Sequence, residues 1–239
     1  MGITPVHFFS HGSTMMLGEE STSADYWKKC GHEALANGIK GVVIMGAHWD
    51  CAGDKIEVAM NPKPDKSPVA FVNPKKYKDY QLVPDLETGQ RCIEMLANEG
   101  FHVSGNSTFN WIHDVYLVLV RMFPAGCPPT TIISMNARYD PHFHMKIGST
   151  LRPLRYENYL LIGTGGPNLR RAMTKLMKHP MYREAHATDD HFMAALFVAG
   201  AAGDWEDADL QAELGAESWE LTNMCNSQFT IGSWKALAA

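Results

Sequence analysis

The chain predicts an α/β domain, a central mostly parallel or mixed sheet flanked by helices on both faces. Three observations carry this reading. Short apolar runs recur along the chain, most are followed by a stretch with helical apolar spacing, and glycines or prolines punctuate the joins. With 239 residues, 45% hydrophobic and 20% charged, the span 1–239 suits one domain with a substantial core.

The elements follow in order. Val6-His7-Phe8-Phe9-Ser10-His11-Gly12-Ser13 reads as a short buried strand that leaves the sheet through a glycine turn. Asp25 to Asn37 places Tyr26, Trp27, Cys30 and Leu35 at helical spacing and stops at Gly38. Gly41–Met45 is the next strand, running on into Gly46-Ala47-His48-Trp49-Asp50. A helix over Leu86–Asn98 stops at Gly100 and feeds a strand at Phe101–Ser104. A helix over His113–Met122 stops at Pro124 and feeds Thr130–Met135, and a helical stretch from His142 to Leu154 leads into Tyr159–Ile162. Two helices follow, near Asn168–Lys178 and Asp189–Ala202.

Asn61 to Asp85 breaks the rhythm with Pro62, Pro64, Pro68, Pro74 and Pro84 among lysines 63, 66, 75, 76 and 78. A connection longer than about 15 residues in a compact domain is usually a functional lid or a flexible insert. An irregular, mobile cover at a pocket mouth is therefore expected, with the lysines as a solvated face.

Composition narrows the function. A net charge of −5 and a pI near 6.1 give no long-range attraction to nucleic acid or acidic membranes, so a small ligand is the expected partner. The five cysteines are dispersed and form no Cys-x-x-Cys pair, which signals neither a disulfide framework nor a thiolate zinc knot. No run approaches the roughly 20 apolar residues of a membrane span, and no basic stretch precedes an apolar signal core. Val6 stands where a myristoylation motif beginning at Gly2 would need Ser or Thr. A cytoplasmic protein is expected, and self-assembly into a homo-oligomer stays open.

His11 and His48 close the first and second strand runs, where ligands bind in α/β sheets, outside the carboxyl ends of parallel strands. Two imidazoles delivered there suit a metal site. Two hydrogen-bonded polar residues at strand ends are the other reading, and these positions alone leave both open. A third histidine comes from His186-Ala187-Thr188-Asp189-Asp190-His191, where Thr188 can cap a helix whose first turn holds the two aspartates. Were both histidines helical, five residues would set them about 140° apart around the axis, too far to share a metal easily. His191, fixed by the helix, is the better ligand, and His186 the better contact behind a ligand or to a substrate. His142 and His144 read as capping or surface residues, and His7 as buried structure.

Ser10-His11-Gly12-Ser13-Thr14, Gly46-Ala47-His48-Trp49-Asp50, Trp111-Ile112-His113-Asp114, Ile162-Gly163-Thr164-Gly165-Gly166 and the His186 to Phe192 helix start also form a pattern. In this order, from residue 3 to about residue 203, they resemble class III extradiol ring-cleavage dioxygenases, in particular the single-domain DOPA 4,5-dioxygenase-like branch. Each motif alone is weak; five in the family's order are specific. The resemblance implies a non-haem Fe(II), or in some members Zn(II), held by His11, His48 and His191. It places His113 beside the substrate hydroxyls or bound oxygen, unless that ring simply packs on Trp111. It also implies that Trp49 and Asp50 orient His48 and that Ala70-Phe71-Val72-Asn73-Pro74 borders the substrate entrance. The substrates implied are a catechol, DOPA-like or a related phenolic, and O2, and the product is a muconic semialdehyde. Such chemistry needs about three protein ligands with one face open, and a neutral base, for which histidine is tuned near pH 7.

One departure matters. The family follows its Gly-Thr-Gly-Gly turn with a His-Asn pair whose histidine is the expected acid–base group, whereas this chain continues Gly166-Pro167-Asn168-Leu169-Arg170. Only residues 167–185 separate Gly166 from His186, so the chain reads as shortened after Gly166. His113 and His186 are then the candidate catalytic residues. The alternative function is a metal-binding, catalytically impaired homologue that serves as a binding or regulatory protein. The glycine turn also raises phosphate binding, but Asn168 stands where a third glycine would be and no Lys-Ser/Thr pair follows.

Overall fold

A computed structural model describes residues 3–165, 177–186, 188–203, 212–220 and 224–234. The strands are β1 (Val6–Phe9), β2 (Gly41–Cys51), β3 (Lys55–Ala59), β4 (His102–Asn106), β5 (Thr130–Asn136), β6 (Tyr159–Thr164), β7 (Ala212–Glu220) and β8 (Met224–Ile231). The helices are α1 (Thr14–Gly18), α2 (Thr22–Ala36), α3 (Leu86–Asn98), α4 (His113–Met122), α5 (Pro141–Leu151), α6 (Tyr182–Ala185) and α7 (Asp190–Ala202). One sheet of order β4-β3-β5-β2-β6-β1-β8-β7 joins every strand. Its centre, β5-β2-β6-β1, is parallel, while β3/β5, β1/β8 and β7/β8 are antiparallel, so the expected α/β sheet is a mixed one.

Alternation along the central strands sorts the core into two faces. Val6 and Phe8 of β1, Val43 and Met45 of β2 and Leu161 of β6 face one side with Cys92 and Leu96 of α3, Ile147 and Leu151 of α5 and the body of α7. Phe9, Val42, Ile44, Leu160 and Ile162 face the other, against Trp27 and Cys30 of α2 and Val115, Val118 and Leu119 of α4. Every residue of α7 from Phe192 to Ala202 is buried, and burial of each large side chain such as Phe192, Leu196 or Phe197 contributes about 1.5–3 kcal/mol. The far end of α7 is fixed as well. Arg155, fully buried, donates to the carbonyls of Ala201 and Ala202 at 2.8 and 3.0 Å and to that of Thr4 at 2.8 Å, tying the helix C-terminus to the segment entering β1.

Several expectations shift. Thr188 does not cap α7: its hydroxyl donates to the Asp190 carboxylate, and Asp189 occupies the cap position with its carboxylate engaged by Tyr182 at 2.9 Å and by Arg183. α5 stops at Leu151 and tightens into a 3-10 turn over Arg152–Glu157, because Pro153 cannot donate to a continuing helix. His144 is fully buried; its Nε2 accepts the Asn136 N–H at 3.0 Å and its Nδ1 lies 2.7 Å from the Asp140 carbonyl, so it locks the end of β5 to the start of α5. Most of the helix expected near Asn168–Lys178, and the shortening after Gly166, lie outside the described residues.

The Pro-rich segment is irregular, as expected, but well tethered. Asn61 donates to the Phe109 carbonyl at 3.2 Å, the Trp111 N–H to Asp65 at 2.9 Å, the Ser67 N–H to Trp111 at 2.9 Å and the Tyr116 hydroxyl to Ser67 at 2.9 Å. It thus runs beside residues 109–116, around the start of α4. No helix among the described residues is long and apolar enough to cross a membrane.

Candidate metal centre

The parallel strands β1, β6 and β2 end side by side, and the site forms over those ends. His11 follows the end of β1 after Ser10, and Gly12 turns the chain away with a φ of 62°, a conformation side chains with a Cβ rarely adopt. The His11 Nδ1 lies 2.9 Å from the Gly12 carbonyl. A carbonyl only accepts, so Nδ1 carries the proton and Nε2 keeps its lone pair. That Nε2 is buried and has no hydrogen-bond partner among the described residues.

His48 sits where β2 leaves regular pairing. The ladder with β6 ends at Met45–Gly163, and the register with β5 shifts between Met45 and Asp50. One oxygen of Asp114, in the first turn of α4, accepts the backbone N–H groups of Ala47 at 2.6 Å and His48 at 3.1 Å. His191 stands in the first turn of α7, its Nδ1 3.0 Å from the Asp190 carboxylate. This helix start can lie against the end of β6 because Gly165 has no side chain: a Cβ there would meet the His191 carbonyl at 2.0 Å. Close packing of helix on strand accounts for that glycine without a phosphate.

The structure brings His11, His48 and His191 together, one ligand nitrogen of each within 4.8 Å of the others. Ring centroids are 5.2 Å apart for His11 and His48, 5.1 Å for His11 and His191, and 4.8 Å for His48 and His191. His113, the first residue of α4, joins from the side, 4.9 Å from His48 and edge-on to His11 at 6.4 Å. Its ring neighbours are thus these histidines, while Trp111 is paired to the Pro-rich segment. His186 is extended and stacks on Tyr182 at 5.0 Å with Phe192 edge-on at 5.2 Å, so its ring packs on aromatics behind His191.

Electrostatics favour the neutral forms of His11, His48, His113 and His186. Burial, reinforced by His191, His48 and His113, holds His11 well below the ordinary histidine range. His48 is exposed by area, yet desolvation among its neighbours lowers its pKa, as it lowers that of His113, and in both the nearby Asp114 carboxylate opposes the shift. Desolvation, with His191, also lowers His186. Burial works to raise Asp190, but hydrogen bonds from Thr188 and His191 outweigh it and keep the carboxylate below its ordinary range. Neutral imidazoles keep the lone pairs that a cation or a substrate proton would take.

Trp49 and Asp50 do not orient the His48 ring as the motif implied. Trp49 stacks on Phe109 at 3.7 Å, and Asp50 accepts the Tyr139 hydroxyl. Asp114 supplies the nearest anchorage, through the backbone. The sequence hinted at this residue as a carboxylate beside His113 in the first helical turn, yet nothing in the sequence revealed its partners 67 and 66 positions away. Two surface clefts of about 310 and 640 Å³ flank α4 and residues 75–83, and none of the histidines above lines them.

Three imidazoles from three elements, one with a buried lone pair that no described residue engages, fit a borderline divalent metal. No protein-family model matches the chain. It is 23% identical over 252 residues to a 4,5-DOPA dioxygenase extradiol of Beta vulgaris, covering 91% of this chain and 92% of that one. It is 24% identical over 161 residues to the protein of the same name from Escherichia coli strain K12, covering 67% of this chain and 58% of that one. A crystal structure of an uncharacterized Escherichia coli K12 protein shares the fold, with a TM-score of 0.70 at 19% identity over 95% of this chain and 99% of that chain. With the motifs in order and relatives that carry the dioxygenase name, the chain is similar to the class III extradiol dioxygenases.

Proposed function

We propose that the chain, as one domain over residues 1–239, is a non-haem metal-dependent extradiol dioxygenase that opens a catechol ring with O2 in the cytoplasm. The observation that carries this reading is the His11, His48 and His191 group with the unpartnered Nε2 of His11 at its base. These residues would hold the metal, Fe(II) as the family implies, with Zn(II) as the other candidate. When bound, the ion supplies Lewis acidity toward the catechol hydroxyls and a redox centre for dioxygen.

The protein groups divide the remaining work. His113, neutral and beside His48, accepts the proton from a substrate hydroxyl at its ring nitrogen. Asp114, its neighbour in sequence, stabilises the imidazolium that results and holds the end of β2. Asp190 holds the His191 ring through Nδ1. Both atoms of O2 enter the product, so no external reductant is required, and a DOPA-like catechol yields a muconic semialdehyde.

Anaerobic reconstitution with Fe(II), followed by air and a catechol panel, tests this. A yellow product formed with one O2 consumed per catechol is expected. A protein that takes up neither Fe(II) nor Zn(II) overturns it.

A second reading has its own observation: the chain continues Gly166-Pro167-Asn168-Leu169-Arg170 without the family's His-Asn pair. A metal-binding homologue with impaired catalysis, acting as a binding or regulatory protein, would bind catechol in the same experiment and leave it intact.

A further inference from the structure

We propose that Glu220, on β7, is a positioning residue for His11, holding the loop that presents this imidazole through a hydrogen-bonded clamp with Asn226 of β8. The inference rests on the reading of His11, His48 and His191 as metal ligands. The hairpin of β7 and β8 lies beyond the motifs that carry the family resemblance, and β7 is an edge strand exposed along much of its length. Its last residue nevertheless reaches back to the loop after β1. One Glu220 oxygen accepts the Ser13 backbone N–H at 2.6 Å and the other accepts the Ser13 hydroxyl. The first oxygen also accepts from the Asn226 side-chain amide at 2.9 Å, and the Asn226 oxygen accepts the Ser10 hydroxyl at 2.9 Å.

Ser10 and Ser13 flank His11-Gly12, so both ends of the ligand loop are tied to one hairpin. Gln228 of β8 completes the floor: its amide donates to the Ser10 carbonyl at 2.9 Å, and its oxygen accepts the Trp27 indole N–H at 2.8 Å. Ser10, Asn226 and Gln228 are buried, where hydrogen bonds are shielded from water. Gly12 gives the loop no rigidity of its own, so its shape comes from its flanks. A carboxylate suits the outer anchor because it accepts three donors at once, and charge-assisted bonds are about twice as strong as neutral ones. Groups that orient metal-bound histidines usually act on the ring; here the hold is on the backbone to either side of it.

The test uses Glu220→Ala, Glu220→Gln and, as a control on the same strand, the exposed Glu213→Ala. Co(II) is the probe, its affinity read by chelator competition and its site by visible absorption, and the histidine ring signals of the metal-free proteins are read by NMR. Glu220→Ala is expected to weaken Co(II) binding about 10–100-fold and to move the His11 ring signals before any metal is added. Glu220→Gln, which keeps an acceptor for Ser13, recovers most of that loss, and Glu213→Ala shows none. Should Glu220→Ala fail to fold, Glu220→Asp, too short to span the same donors, takes its place with the same readouts. Unchanged Co(II) affinity and unchanged His11 signals in a folded Glu220→Ala protein overturn the clamp, as does an equal loss in Glu213→Ala. If the wild-type protein binds no Co(II), the metal reading fails, and the His11 signals of the metal-free variants still decide the clamp.

Discussion

Asp114 anchors His48 through the main chain, accepting the N–H groups of Ala47 and His48 at 2.6 and 3.1 Å with one carboxylate oxygen. The carboxylate is 1% exposed, and its other oxygen has no hydrogen-bond partner among the described residues. A strand that has left regular pairing thus has its backbone donors satisfied by the first turn of α4, the turn that begins with His113. One side chain couples the presentation of His48, the proposed ligand, to the placement of His113, the proposed base.

Asp114→Ala is expected to strand two N–H groups and to lower stability by roughly 2–6 kcal/mol, since each unsatisfied buried donor costs about 1–3 kcal/mol. Asp114→Asn keeps an acceptor oxygen and should cost less. Urea denaturation measures both. A loss for Ala no larger than that for Asn would show that the backbone donors find other partners.

Metal content should separate His191 from His186. His191→Ala, like His11→Ala or His48→Ala, is expected to reduce bound metal sharply after reconstitution and desalting. His186→Ala should retain it and lose about 0.5–1.5 kcal/mol of stability, the usual worth of an aromatic pair, because its ring stacks on Tyr182 and Phe192. Elemental analysis in which His186→Ala emptied the protein and His191→Ala spared it would exchange their roles.

The pH dependence of stability has a buried source. His144 accepts the Asn136 N–H at Nε2, so adding a proton there sets donor against donor, and burial lowers its pKa to about 4 from 6.5. The unfolded chain therefore binds this proton more readily than the folded one. Stability from this group is complete above about pH 6.5 and falls as pH drops toward about 4; the gap corresponds to roughly 3 kcal/mol. Buried His7, lowered to about 3, acts in the same direction, so a difference is needed. The stability advantage of wild type over His144→Gln should shrink between pH 7 and pH 4.5. An advantage independent of pH would place the sensitivity elsewhere.

The fold was legible where local signals agreed. α3 runs over Leu86–Asn98 as read, with Asp85 capping its start and the chain turning at Gly100, and α4 keeps His113–Met122. β3 escaped notice because Lys55-Ile56-Glu57-Val58-Ala59 is short and half charged, burying Ile56 and Val58 through tertiary pairing with β4 and β5. β7 and β8 escaped because the alternation of Ala212, Leu214 and Ala216 is weakly apolar and breaks at Ser218, and the strand is held by its partner. The site followed the same division. His11, His48 and His191 could be read because each adjoins the end of an element with a motif around it. Asp114 and Glu220 act on backbone 66 to 207 positions away, and no local pattern encodes such a contact.

Turnover is expected to be slow even in the metal-loaded protein. A positioned acid or base typically contributes about 10²–10⁴-fold, and without the family's His-Asn pair after the glycine turn the proposed proton transfers fall to His113, 4.9 Å from His48. Catechol binding does not require that group, so binding and cleavage should come apart. A catechol charge-transfer band should form on the Fe(II) protein while ring opening lags. His113→Asn should leave the band and remove most of the residual rate. Restoring a Gly-Gly-x-Val-His-Asn sequence after the glycine turn should raise the rate by a factor within that range and leave catechol affinity nearly unchanged. Rapid cleavage by the unaltered chain, persisting in His113→Asn, would move the base role to another group, with His186 the next to replace.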